Sequence, residues 1–120
     1  MATANQPSQQ ELEKLLKDYQ LLQDQLRTYA LQLEQLQAQK MDMERAGSEL
    51  EKASGKVYIS IGSVIVETTK EKATADIKER SSLTDARIQS VNKQYTELRN
   101  REKQLNEQIT LLYKQSQGGA

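Results

Sequence analysis

Apolar and polar residues alternate along this chain with two different periods, and the contrast divides it into three. Stepping alternately by three and four from Leu12 passes through Leu15, Tyr19, Leu22, Leu26, Tyr29, Leu33, Leu36, Lys40, Met43, Gly47 and Leu50. Ten of these twelve positions are apolar or tyrosine. The same stepping from Ile77 passes through Ser81, Thr84, Ile88, Val91, Tyr95, Leu98, Glu102, Leu105, Ile109 and Leu112, with eight of eleven matching. A sustained 3.5-residue spacing predicts a narrow seam facing one partner helix; a helix on a globular core would carry a broader stripe. Between the two periodic segments, Val57-Tyr58-Ile59-Ser60-Ile61 and Val64-Ile65-Val66 flank Gly62-Ser63. Two β-branched runs around a Gly-Ser pair predict a hairpin with a type II′ turn. The expected elements are a helix over about 9–53, a β-hairpin over about 56–68 and a second helix over about 70–115.

Local signals set the boundaries. Ser8 with Glu11 has the spacing of a capping box, with Pro7 just outside the first helix. Ser54-Gly55 supplies its stop, because glycine tolerates the left-handed conformation there. Thr68 and Glu71 repeat the capping-box spacing before the second helix, and Gly118 marks the latest point at which that helix can end. The tails 1–7 and 116–120 are small and polar, and are expected to fray.

The two seams fit each other. Pairing 12 with 112, 15 with 109, 19 with 105, 26 with 98, 33 with 91 and 36 with 88 keeps the sum of residue numbers constant at 124, as antiparallel helices in register require. The midpoint, residue 62, is a glycine. By the same sum Lys40 faces Thr84, Met43 faces Ser81 and Gly47 faces Ile77, so the weak seam positions cluster near the hairpin, where they suggest a softened root. Residues 10–53 carry nine acidic and six basic side chains, and residues 72–115 carry six acidic and nine basic, so the segments are −3 and +3. Opposite charge favours the pairing, at only a few tenths of a kcal/mol per exposed pair. The apolar seam contributes far more, ~1.5–3 kcal/mol gross for each large side chain fully buried. These observations predict a mainly α fold: one intramolecular antiparallel coiled coil, folded back at Gly62 through a single hairpin, with residues 1–120 forming one domain.

Composition then restricts the chemistry. There is no Cys, which excludes a disulfide framework, a thiol nucleophile and Cys-based zinc, and no His, the commonest metal ligand and general base. Seventeen basic and seventeen acidic residues cancel, which argues against a dedicated nucleic-acid or anionic-membrane binder. No apolar run reaches the ~18 residues of a membrane span, and no leader resembles a signal peptide. Asp42 with Glu44, and Glu49 with Glu51, are spaced by two on a helix and so point to different faces; they read as solvated charges, not metal ligands. No phosphate loop or nucleophile–base set is present. The expectation is a cytoplasmic non-enzyme with no cofactor.

The hairpin points to an assembly. With a two-residue turn, Ile61 opposes Val64, Ile59 opposes Val66 and Val57 opposes Thr68, which puts five apolar side chains on one face and Tyr58, Ser60, Ile65 and Glu67 on the other. An isolated two-stranded hairpin is marginal in water, and its two free edges invite pairing with other chains. The seam is already occupied, so the expected solution is an oligomer whose hairpins close into a shared sheet or β-barrel. The alternative is a hairpin folded onto the flank of its own helices. At the ends of the chain, Leu16 beside Leu15, and Leu111 and Tyr113 beside Leu112, add more apolar surface than one seam can bury. Such surface either seals the end of the coiled coil or takes up apolar side chains from another protein.

Two coiled-coil helices joined by one hairpin reading Val57-Tyr58, Ile61-Gly62 and Val64-Ile65-Val66, followed by Thr68-Thr69-Lys70-Glu71-Lys72-Ala73, resemble the beta class of prefoldin subunits, the archaeal form in particular. The architecture covers essentially the whole chain, but the sequence-specific part is only about 56–80. The alpha class has two hairpins, and one is present here. The resemblance implies an ATP-independent holdase chaperone in which two alpha and four beta subunits join their hairpins into a double β-barrel. The projecting coiled coils then grip unfolded polypeptides at their tips and pass them to a group II chaperonin. Carried onto this chain, the oligomerisation residues are Val57, Tyr58, Ile59, Ile61, Gly62, Val64, Ile65 and Val66. The client-binding tips are about residues 9–22 and 102–115, with Leu12, Leu15, Leu16, Tyr19, Leu105, Ile109, Leu111, Leu112 and Tyr113. Neither nucleic acid nor membrane enters as a partner. The competing expectation is a structural coiled-coil adaptor that oligomerises through its hairpin and binds one folded partner.

Overall fold

The structure, a computed structural model, describes residues 9–118; Ser8 of the first capping box and the tail before it lie outside the described residues. Helix α1 spans Gln9–Lys52, strand β1 Val57–Ile61, strand β2 Val64–Thr68 and helix α2 Lys70–Gly118. All twelve α1 positions reached by the three–four stepping are buried or half-buried, and Gln23 alone joins them among the described residues of that helix. All eleven positions of the α2 stepping are likewise buried or half-buried.

The junctions show how the chain is turned. The Ala53 N–H donates to the Leu50 carbonyl at 3.2 Å, which tightens the end of α1. Gly55 follows at φ 99°, a left-handed conformation that L side chains avoid. The Lys70 ammonium, at the start of α2, donates to the Glu51 carbonyl at 2.8 Å. It thereby satisfies an acceptor that the last turn of α1 leaves open. The cap of α2 differs from the sequence expectation. Thr68 pairs with Val57 as the last residue of β2, so it is not free to cap, and the role passes to Thr69, whose Oγ1 accepts from the Lys72 N–H at 3.2 Å.

The chain separates into two compact units, one of residues up to Leu31 and from Asn92 on, the other Gln32–Val91. In the terminal unit, Leu22 and Leu26 are the buried apolar residues, and residue numbers run in opposite directions on the two helix segments. Leu15 shares a groove with Gln108 and Leu112, and Tyr29 shares one with Gln94 and Leu98. Glu102 sits within this seam with its carboxylate satisfied: the Gln23 amide donates to it, and the Arg99 guanidinium lies 3.3 Å away.

In the hairpin unit, Leu50, Ala73 and Thr84 are buried, Thr84 at 4% exposure. The interruption at Lys40 is polar, not empty: its ammonium lies 2.9 Å from the Asp85 carboxylate, next in sequence to the buried Thr84. Hydrogen bonding to Asp85, and then its charge, hold the Lys40 pKa above the ordinary lysine value. A raised folded-state value contributes stability below the unfolded lysine pKa and loses it as pH climbs through the folded one, so the pair is intact across neutral pH. Gly47 differs in kind. A Cβ built there meets nothing within 4 Å, so close packing does not require glycine at that position. Replacing it with alanine removes the helix-interior cost of glycine without a clash. Gly47→Ala is expected to raise stability by about 0.5–1 kcal/mol in urea unfolding; a loss of stability would mean that the position is not regular helix.

Candidate binding surfaces

Among the described residues no group of three or more Asp or Glu side chains could hold a metal ion, and no helix is long and apolar enough to cross a membrane. Asp42, Glu44, Glu49 and Glu51 are exposed, as solvated charges are. What the structure offers is exposed apolar surface, most of it in two places.

The first is the hairpin. Strands β1 and β2 pair antiparallel in the register Val57 with Thr68, Tyr58 with Glu67, Ile59 with Val66, Ser60 with Ile65 and Ile61 with Val64. Gly62 has φ 60° while Ser63 has no positive φ; the first turn residue alone is left-handed, which is type II′ geometry and not type I′. The register therefore puts Val57, Ile59, Ile61, Val64 and Val66 on one face. Along that face burial falls off toward the turn. Val57, Ile59 and Thr68 are half-buried, whereas Ile61, Val64 and Val66 are exposed. Strand β1 lines a groove of about 560 Å³ together with Met43, Leu50, Ala73 and Ile77. Part of the hairpin's apolar face is therefore covered within its own chain, which is the alternative that the sequence leaves open beside assembly. The cover reaches only the helix-proximal half. On the other face Tyr58 and Ile65 are exposed, Ile65 at 72%.

The second place is the terminal unit. Leu12, Leu15, Tyr19, Leu105, Ile109 and Leu112 are half-buried in the seam. Leu16, Leu111 and Tyr113 are exposed, and Tyr113 retains an interaction of its own within the chain. Two grooves open here, of about 450 and 430 Å³, with Leu15, Leu22, Leu105 and Leu112 contributing to their floors. One residue absent from the sequence-derived set stands out. Leu21, at 62% exposure, lines the first groove. Its signal was the Leu21-Leu22 doublet, the same pattern as Leu15-Leu16 and Leu111-Leu112. Leu31, Met41 and Leu83 are also exposed away from the seam, so apolar residues are less confined to seam, hairpin and chain ends than the periodicity implies.

The sequence profile of the family described as Prefoldin subunit matches residues 13–118. The prefoldin subunit beta of Methanosarcina acetivorans is 32% identical over 101 residues, covering 82% of this chain and 86% of that protein. The prefoldin subunit beta of Pyrobaculum neutrophilum is 29% identical over 111 residues, covering 91% and 88%. The crystal structure of the prefoldin beta subunit from Thermococcus strain KS-1 superposes with a TM-score of 0.77 at 30% identity, covering 88% of this chain and 92% of that one.

Seam and open surface should separate under substitution. Leu26→Ala removes a buried contact and is expected to cost about 2–3 kcal/mol. Leu111→Ala removes an exposed side chain and should stay within about 0.5 kcal/mol. Chemical denaturation checks both, and equal costs would mean that Leu111 is part of the packed seam.

Proposed function

The chain belongs to the prefoldin subunit family, and from that premise we propose that it is a beta-class subunit of an ATP-independent holdase. It assembles through its hairpin with alpha and further beta subunits, two and four in the complete hexamer. It captures unfolded polypeptides on its terminal unit and delivers them to a group II chaperonin in the cytoplasm. It carries out no catalysis and needs no cofactor.

One observation carries this reading: the large exposed apolar side chains concentrate in two places with different geometry. At the hairpin they sit on paired strands whose outer edges are open, a surface that fits further strands. Ile61, Val64, Val66 and Ile65 gain cover only when other hairpins join. At the terminal unit they sit on helix flanks beside open grooves, which offer no strand edge and suit apolar side chains presented in no fixed order. Assembly and capture are therefore assigned to separate parts of the chain. An adaptor for one folded partner would be served by the same hairpin, but it requires a surface with one complementary shape, and the mixed, shallow grooves of the terminal unit do not favour it.

Native mass measurement of the chain, with and without an alpha subunit, and suppression of aggregation of a denatured protein together test the proposal. A particle of about six chains that suppresses aggregation is expected, and a stable dimer without holdase activity would favour the adaptor. Ile61→Ser with Val64→Ser should abolish the large particle while leaving the far-ultraviolet helical signal within about a tenth of its value, because those side chains are not part of either seam. Deleting residues 1–18 and 106–120 should do the reverse, removing capture and leaving assembly. If that deletion dissolves the particle, the assembly surface has been misassigned.

A further inference from the structure

We propose that the terminal unit takes its client as an extended backbone segment, laid along one flank of the helix pair. The inference rests on the capture reading above and specifies its site. Three grooves of about 450, 430 and 310 Å³ join end to end: the first two share Leu15, Asp18 and Gln108, and the first and third share Gln25 and Arg101. Apart from the seam residues of the floor, every residue lining them immediately precedes a seam position. Leu21 precedes Leu22, Gln25 precedes Leu26, Gln94 precedes Tyr95, Gln104 precedes Leu105, Gln108 precedes Ile109 and Leu111 precedes Leu112. The residue before a seam position projects to one side of the seam and the residue after it to the other, and in an antiparallel pair the two leading sides share a flank. The three grooves are therefore one channel on one flank.

Its length sets the size of the occupant. From Glu11 to Tyr29 the channel follows 18 residues of helix, about 27 Å at 1.5 Å per residue. An extended chain rising ~3.3 Å per residue would span it with about eight residues.

Its chemistry sets the kind of occupant. Leu21 and Leu111, 62% and 58% exposed, offer apolar contact beside the floor. Gln25, Gln94, Gln104 and Gln108 are exposed, and no hydrogen bond within the described residues engages their side-chain amides. A glutamine amide both donates and accepts, which matches a backbone N–H and C=O whatever the side chains are. Folded proteins keep those backbone groups paired internally, and a second coiled coil would present none, so these amides favour an unfolded segment over either. The ionic walls, Glu11, Lys14, Asp18, Glu97 and Arg101, mix both signs and impose no charge preference. The channel thus combines apolar contact with sequence-blind backbone recognition.

The test uses the full-length chain in the oligomer it forms, with fluorescence anisotropy of a labelled peptide of about eight residues alternating leucine and serine, and of its backbone N-methylated analogue. Leu21→Ser with Leu111→Ser should weaken binding of the unmethylated peptide about tenfold. Leu31→Ser, an equally exposed leucine outside the channel, should change it less than about twofold. Gln25→Ala with Gln104→Ala and Gln108→Ala, all favourable to helix, should weaken the unmethylated peptide about tenfold and leave the weaker-binding methylated analogue nearly unchanged. An effect of Leu31→Ser as large as that of the Leu21/Leu111 pair would overturn the channel. A glutamine triple variant that binds both peptides as the unsubstituted chain does would overturn backbone recognition. If the unsubstituted chain neither binds peptide nor suppresses aggregation, it is the holdase reading that fails.

Discussion

A seam one side chain wide is the constraint on which the rest of this chain depends. Neither helix carries enough apolar surface to be stable alone in water, since a long isolated helix gains most of its stability from packing its apolar stripe. Each stripe is too narrow to build a layered core. In both units the stripes of α1 and α2 run in opposite directions, and the only buried apolar residues among those described are Leu22, Leu26, Leu50 and Ala73. Register matters in so thin an interface, and polar groups help to set it. Glu102 is met by Gln23 and Arg99, and Lys40 by Asp85. The residue numbers of the two cross-helix pairs, 23 with 102 and 40 with 85, both add to 125, one away from the seam sum of 124. A slip of one heptad would separate both pairs, a penalty that falls on specificity more than on net stability.

Because the seam absorbs what each helix can bury, the hairpin is left only partly covered. Its helix-proximal residues Val57 and Ile59 reach the groove above Leu50 and Ala73, but Ile61 and Val64 at the turn do not. That gradient makes physical sense of an assembling element. The proximal half is partly covered within its own chain, and under the proposed assembly the exposed distal half is the part left for strands from other subunits. In the terminal unit the same narrowness leaves the flanks of the helices open, and leucines placed just beside seam positions turn those flanks into usable surface.

Much of this was legible in the sequence because the decisive signals are local. The three–four stepping marks the seam residue by residue, since helix geometry is fixed at 3.6 residues per turn and only one partner is present. The Gly62-Ser63 turn fixes the strand register through the sign of one backbone angle. The misses arose where two elements compete for the same residue or meet in space. Thr68 has capping-box spacing to Glu71, yet the β ladder claims it, and the cap moves to Thr69. The lean of β1 on its helices depends on the path of residues 53–56, which periodicity does not describe. Leu21 lies off the three–four stepping, which marks a seam one position at a time, whereas a groove is made by the positions beside it. The proposal that a client lies along one flank needed the structure, because it rests on which residues share a groove.

The central claim is that this chain binds non-native polypeptide on its terminal unit and not on its hairpin. Backbone amide chemical shifts of the isotope-labelled chain, recorded in its oligomer with and without a permanently unfolded protein, test it most directly. The account predicts changes concentrated at residues 11–29 and 94–113, with 57–68 undisturbed. Changes centred on the hairpin, with the terminal unit unaffected, would contradict it.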